Sequence, residues 1–168
     1  DKLEEEKSYT INTRGSFPGL DGSQHPTPFE DELIAAKATV NVAASQLLSV
    51  RYGFQKNSQK YGASPLTTPD ALGTLTNEYE SILGGHTAVI SENAVNEFFF
   101  QYSNFDNLIS ADSDNPALVF PSGAKSGQNP NTPQTTYQTK YQYKDDFSFS
   151  TDLGGDRWDT PQHNAPGP

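Results

Sequence analysis

The sequence predicts an all-β chain made of antiparallel hairpins. Three observations lead there. Apolar and polar residues alternate with a two-residue period in several stretches, the spacing of side chains on opposite faces of a strand. Those stretches are joined by a few residues and by long polar connections in turn. The composition is also that of strands and loops: 33% of the 168 residues are hydrophobic, mean hydropathy is -0.71, and 13 Gly and 12 Pro accompany abundant Asn, Gln, Ser and Thr. A conventional two-layer core is hard to fill from such a chain.

Taken in order, residues 1–7 are charged and carry no assignment beyond a frayed turn or loop edge. Ser8 to Thr13 alternates weakly, and Gly15 to Pro28, punctuated by Gly and Pro, reads as a loop. Phe29 to Ala36 is expected to be a short helix that merges into a strand over Lys37 to Ala43, with Ala38, Val40 and Val42 on one side and Lys37, Thr39 and Asn41 on the other. After a short turn, Leu48, Val50, Tyr52 and Phe54 alternate with Ser49, Arg51, Gly53 and Gln55, completing a hairpin.

A long polar connection is expected over 56–74. Glu78 to Ser91 follows as a less regular strand interrupted by Gly84-Gly85, with a tight turn at Glu92-Asn93. Val95 to Tyr102 then puts Phe98, Phe100 and Tyr102 on one face and Glu97, Phe99 and Gln101 on the other, so one ring falls on a polar side. A second long connection is expected over 103–135. In the strand beyond it, Tyr137, Thr139, Tyr141, Tyr143, Phe147 and Phe149 share one parity and Gln138, Lys140, Gln142 and Lys144 the other, with Asp145 the exception among the rings. Residues 1–153 thus form one unit, and 154–168 an unstructured tail.

Alternating short turns and long loops, with strands of about ten residues between them, is the pattern of a transmembrane β-barrel. A soluble barrel or sandwich also alternates apolar with polar, so the loop asymmetry and the polarity of the second face favour the barrel. Formal charge is -10 with scattered cations, which argues against nucleic acid. There is no Cys, hence no disulfide framework, thiolate site or Cys nucleophile, and no apolar run long enough for a transmembrane helix. With no Met at position 1, a processed product or an excerpt is expected.

The stretches LSVRYGFQKNSQKYGASP (48–65), NEFFFQYSNFDN (96–107), VFPSG (119–123), GQNPNTPQTT (127–136) and KYQYKDDFSFS (140–150) resemble, in this order, the barrel of TonB-dependent outer-membrane transporters. The similarity is to the branch with an N-terminal carboxypeptidase-regulatory-like domain, and it spans roughly residues 8–153. It implies a location in the bacterial outer membrane, contact with its lipid, and import of a siderophore, glycan or peptide. The TonB box and plug of that family are absent here, so coupling to TonB would run through parts outside this chain. The family barrel has twenty-two strands, of which this chain would supply six, and DRWDTPQHNAPGP at its end does not continue the family pattern.

The candidate residues follow. Tyr52, Phe54, Phe98, Phe100, Tyr102, Tyr141, Tyr143, Phe147 and Phe149 are expected to face lipid; a soluble core or a stacking platform for sugars are the other uses of such a stripe. Tyr61, Asp106, Asp112, Asp114 and Trp158 are the expected ligand contacts of the loops. Asp112-Ser-Asp114 opens like a calcium loop, but Ala117 and Gly123 stand where its glycine and bidentate Glu belong, which excludes an EF-hand. A looser calcium site on Asp106, Asp112 and Asp114 stays open beside a solvated acidic loop; no other cofactor is expected. His25, His86 and His163 are too far apart for a local metal motif, no G-x-S-x-G occurs, and no catalytic residue is assigned. The alternative to transport is a self-associating β protein joined through exposed strand edges. A hydrolase is a weaker third reading.

Overall fold

The computed structural model describes residues 1–151. Its strands are β1 (Lys2–Glu5), β2 (Ser8–Thr10), β3 (Gln24–Pro26), β4 (Phe29–Ala43), β5 (Gln46–Tyr61), β6 (Gly73–Ser91), β7 (Ala94–Ala111), β8 (Leu118–Val119), β9 (Lys125–Ser126) and β10 (Gln134–Phe149), with a single 3-10 turn at Pro69–Ala71. The main sheet has six strands in the order β1-β4-β5-β6-β7-β10, and every junction is antiparallel. The chain is all-β, as its periodicity predicts.

The long strands hold 15 to 19 residues, far beyond the usual five or six. That length corrects several expectations. Phe29–Ala36 is not a helix but the first half of β4, paired with β1 on one side and β5 on the other. Its Glu, Leu and Ala residues favour helix only weakly, and two ladders of backbone bonds override them. The connection expected over 56–74 is confined to 62–72, and that over 103–135 to 112–133, because β5, β6, β7 and β10 all run further than their apolar alternation. The extensions are mostly polar, and their few large apolar residues, Leu75, Phe105, Leu108 and Ile109, do not repeat every second position, so they carry no two-residue signal. Asn57, Asn77 and Asn107 stand directly opposite one another there, and their carboxamides bond in series at 2.9 and 2.6 Å.

Gly84-Gly85 does not interrupt β6 either. Phe99 lies opposite Gly85, and a Cβ on that glycine would come within 2.9 Å of the ring. The ring that sequence places on the polar face is therefore seated over a glycine, which supplies its space. Lys2–Glu5, read as a loop edge, is a strand. The tail expected over 154–168 lies outside the described residues.

Burial is concentrated at one end of the sheet. Ile11, Leu72 and Ala124 are fully enclosed, with Thr13, Thr67, Thr68 and Asn129 beside them. All seven come from 8–28, 62–72 and 112–133, which form a cap over the end where β5 and β7 finish. The opposite end has only the turns at 44–45 and 92–93. Among the described residues no element packs on either face of the sheet at that end.

Candidate functional site

Because directly paired residues in an antiparallel sheet point to the same face, the register assigns every side chain. Tyr52, Ile82, Tyr102 and Tyr141 form one continuous row, and Val50, Gly84, Phe100 and Tyr143 the next. Following the parity along each strand puts all nine predicted rings, Tyr52, Phe54, Phe98, Phe100, Tyr102, Tyr141, Tyr143, Phe147 and Phe149, on a single face. Ile34, Ala36, Ala38 and Val40 of β4 extend the band to the far side. Along β5, Leu48 to Phe54 covers about 20 Å at the rise of a strand. The rings of β10 stand free, Tyr143 at 79% and Phe149 at 66% exposure.

The band has polar borders. Toward the cap it meets a charged row in which Lys56 is opposed by Glu32 and Glu78, the latter ion-paired at 3.2 Å, and Glu78 is opposed by Asp106. Toward the turns it meets Gln46, His86 and Asn96. Asn96 donates to Asp145 at 2.7 Å, which accommodates the one carboxylate among the rings of β10. The opposite face carries Lys37, Arg51, Gln55, Gln101, Lys140, Gln142 and Lys144, with Gln55 donating to Asp31 at 3.0 Å.

The cap is a hydrogen-bonded clasp between distant segments. Thr68 N–H donates to the Lys125 carbonyl and Lys125 N–H to that of Leu66, at 3.0 and 2.8 Å. Asn129 donates to the Ala71 carbonyl at 3.1 Å, and Tyr9 to that of Thr67 at 2.8 Å. Phe17 meets Phe120 edge to face, with centroids 5.0 Å apart. Two carboxylates fasten it. Burial would raise the pKa of Asp70, but hydrogen bonds from Thr68 Oγ1, the Gly127 N–H and Ser126 Oγ outweigh that and hold it below its usual range. Asp21 is held low chiefly by the Thr13 hydroxyl and also by the N–H groups of Thr13 and Gly15.

The expected ligand contacts fare differently. Tyr61 lies at the seam of the two connections, its hydroxyl accepting from Asn131 at 2.6 Å, beside a cavity of about 240 Å³ that Thr67, Lys125 and Asn129 also line. Asp112 is engaged by Lys60 and Thr74, both at 2.7 Å. Asp106 sits within β7 on the aromatic face and accepts from Asn104. Asp106, Asp112 and Asp114 are not brought together, and among the described residues no group of three His, Asp or Glu side chains could hold a metal. Trp158 lies outside the described residues. Asp21 and Asp70 were missed by sequence reasoning, although Asp21-Gly22 and Thr68-Pro69-Asp70 are turn signals that could have marked them. No protein-family model, curated protein or solved structure matches the chain.

Proposed function

We propose that this chain is part of the wall of an outer-membrane β-barrel, a nutrient-uptake transporter whose cap faces outward and meets the ligand. One observation carries the reading. An apolar band, unbroken in the rows from Tyr52 to Tyr141 and from Val50 to Tyr143, lies on a sheet whose second face carries Lys37, Arg51, Lys140 and Lys144 at the same height and which no described element covers at its turn end. Exposed apolar area of this extent is a liability in water and the normal state of a strand against lipid. The strands exceed the 9 to 11 residues needed to cross a bilayer, so β5 and β7 reach past the lipid and hold the cap beyond it. The resemblance of five ordered stretches to TonB-dependent transporters supports uptake as the task, with lipid and an organic nutrient as partners.

The chain has no cysteine, so single thiols report one site each. Spin labels at Tyr143→Cys and Gln142→Cys, in phospholipid vesicles, should collide preferentially with oxygen and with a water-soluble nickel complex respectively. Equal accessibility of both positions to the nickel complex would remove the band from lipid and the proposal with it.

Self-association is favoured by a separate observation. Beyond Leu33 the outer edge of β4 has no partner among the described residues, and neither has the outer edge of β10. Open edges of that length recruit further strands. Sedimentation velocity with and without detergent separates the readings: a barrel wall stays dispersed only in detergent, whereas an edge-paired assembly keeps its size in both.

A further inference from the structure

We propose that the polar face of the sheet binds an organic anion, a carboxylate or phosphate borne on an apolar body, in a cleft between β6, β7 and β10. The site itself stands on geometry; that its occupant is cargo rests on the transporter reading above.

At the height of the aromatic band, the opposite face comprises three cross-strand rows, from Ala35-Gly53 to Thr39-Ser49, continued through β6, β7 and β10. They contain Lys37, Arg51, Lys140 and Lys144 and not one Asp or Glu, in a chain with 21 acidic residues and 11 basic ones. The carboxylates of this face, Asp1, Glu5, Asp31, Glu97 and Asp146, all fall outside those rows. Lys37 and Arg51 are directly opposed, an arrangement that destabilises a sheet unless something compensates it. Of the four cations only Lys144 reaches a carboxylate, Asp146, among the described residues.

A cavity of about 240 Å³ opens beside them, lined by Leu83, Phe99, Gln101, Gln142, Tyr143 and Lys144. Leu83 and the Phe99 ring make its apolar wall. Gln101 and Gln142, direct cross-strand partners, offer carboxamide donors, and Arg51 stands next in the same row beyond Leu83. One row toward the cap, Gly53, Ser81 and Ser103 leave the floor open between Arg51 and Lys140. An apolar wall with amide donors and Lys144, which shares its charge with Asp146, beside Arg51, Lys37 and Lys140 of neighbouring positions, unpaired among the described residues, selects against cations and gives neutral sugars no use for the charge. In a closed lumen such a field is focused further.

The test uses the full chain in detergent micelles with one thiol at Gln101→Cys, and at Thr136→Cys as a control on the same face beyond the cationic rows. Methanethiosulfonates bearing a sulfonate or a trimethylammonium group are compared. The rate ratio of anionic to cationic reagent should be about tenfold higher at position 101 than at 136, and should fall to the control value when Lys37→Gln and Arg51→Gln are added. Benzoate should slow modification at 101 and benzyl alcohol should not. Equal ratios at the two positions, a ratio indifferent to the charge changes, protection by both small molecules, or protection by neither overturns the site. If the ratios and benzoate protection hold but spin labels fail to alternate in vesicles, the anion site stands and only its role as a cargo contact falls.

Discussion

Replacing Asp70 with Asn should loosen the cap and leave the sheet alone. One carboxylate oxygen of Asp70 accepts from Thr68 Oγ1, and the other from the Gly127 N–H at 2.9 Å and Ser126 Oγ at 3.1 Å. Asparagine keeps one oxygen for the Gly127 N–H and Ser126 Oγ and presents an N–H to Thr68 Oγ1, which can accept it while donating to the Lys125 carbonyl. The partners are kept and the charge on the acceptor is lost. A hydrogen bond to a charged group contributes about 1–1.5 kcal/mol more than one to a neutral group, which raises the population of opened cap about five- to tenfold. Hydrogen exchange at the Thr68 and Lys125 amides, which bridge the two connections, should accelerate by that factor. Amides in the Tyr52–Ile82 region should not change. Unaltered exchange at Thr68 and Lys125 would refute the assignment of Asp70 as the fastener.

The same group gives a pH dependence. Its folded pKa lies below the unfolded value, so its contribution is complete above the ordinary carboxylate pKa of about 3.9 and is lost as pH falls through the lower folded value. Protection of the wild-type cap should therefore decline once pH drops below about 4. In Asp70→Asn a residual step should persist, because Asp21 is held low in the same cap.

Two further substitutions test other parts of the fold. Leu72→Ala, at a fully enclosed position, should cost about 2–5 kcal/mol and abolish cap protection while the far-ultraviolet β signal stays; simultaneous loss of both would show cap and sheet to be one cooperative unit. Gly85→Ala puts a Cβ 2.8 Å from Ser49 Oγ and 2.9 Å from the Phe99 ring and should cost about 1–3 kcal/mol in urea unfolding, and adding Phe99→Ala should recover part of that. No recovery would contradict the seating of the ring on the glycine.

The apolar halves of β5 and β10 were legible because their two faces differ sharply: Leu48, Val50, Tyr52 and Phe54 against Ser49, Arg51, Gly53 and Gln55 leave only the strand period. Parity within each strand, together with antiparallel pairing, was enough to bring nine rings onto one face. The polar ends of the same strands were illegible for the converse reason, since Asn57, Asn77 and Asn107 face neighbours as polar as themselves. The cap was hidden because its contacts join residues far apart in sequence, as Asp70 with Gly127. Nearness in sequence also misled: Asp106 and Asp112 are six residues apart, but along an extended strand that is about 20 Å, so β7 carries them apart.

The direction of the strands bears on what completes the sheet. All four junctions from β4 to β10 are antiparallel, so β4 and β10 run the same way. Joining β10 of one copy to β4 of the next would make a parallel seam in an otherwise antiparallel sheet. Joining β10 to β10 about a two-fold axis keeps the seam antiparallel but sends the two caps to opposite ends. A barrel wall continues instead with a strand opposed to β10, and every cap stays on one side, as a membrane with distinct sides requires. A two-fold seam that sets Lys140 against Asp146 places Tyr143 beside its own copy, so Tyr143→Cys would then oxidise to a disulfide dimer. In lipid vesicles the barrel reading expects that thiol to remain a monomer's, surrounded by acyl chains. A dimer band on a non-reducing gel of oxidised vesicles would transfer the aromatic face from lipid contact to self-assembly.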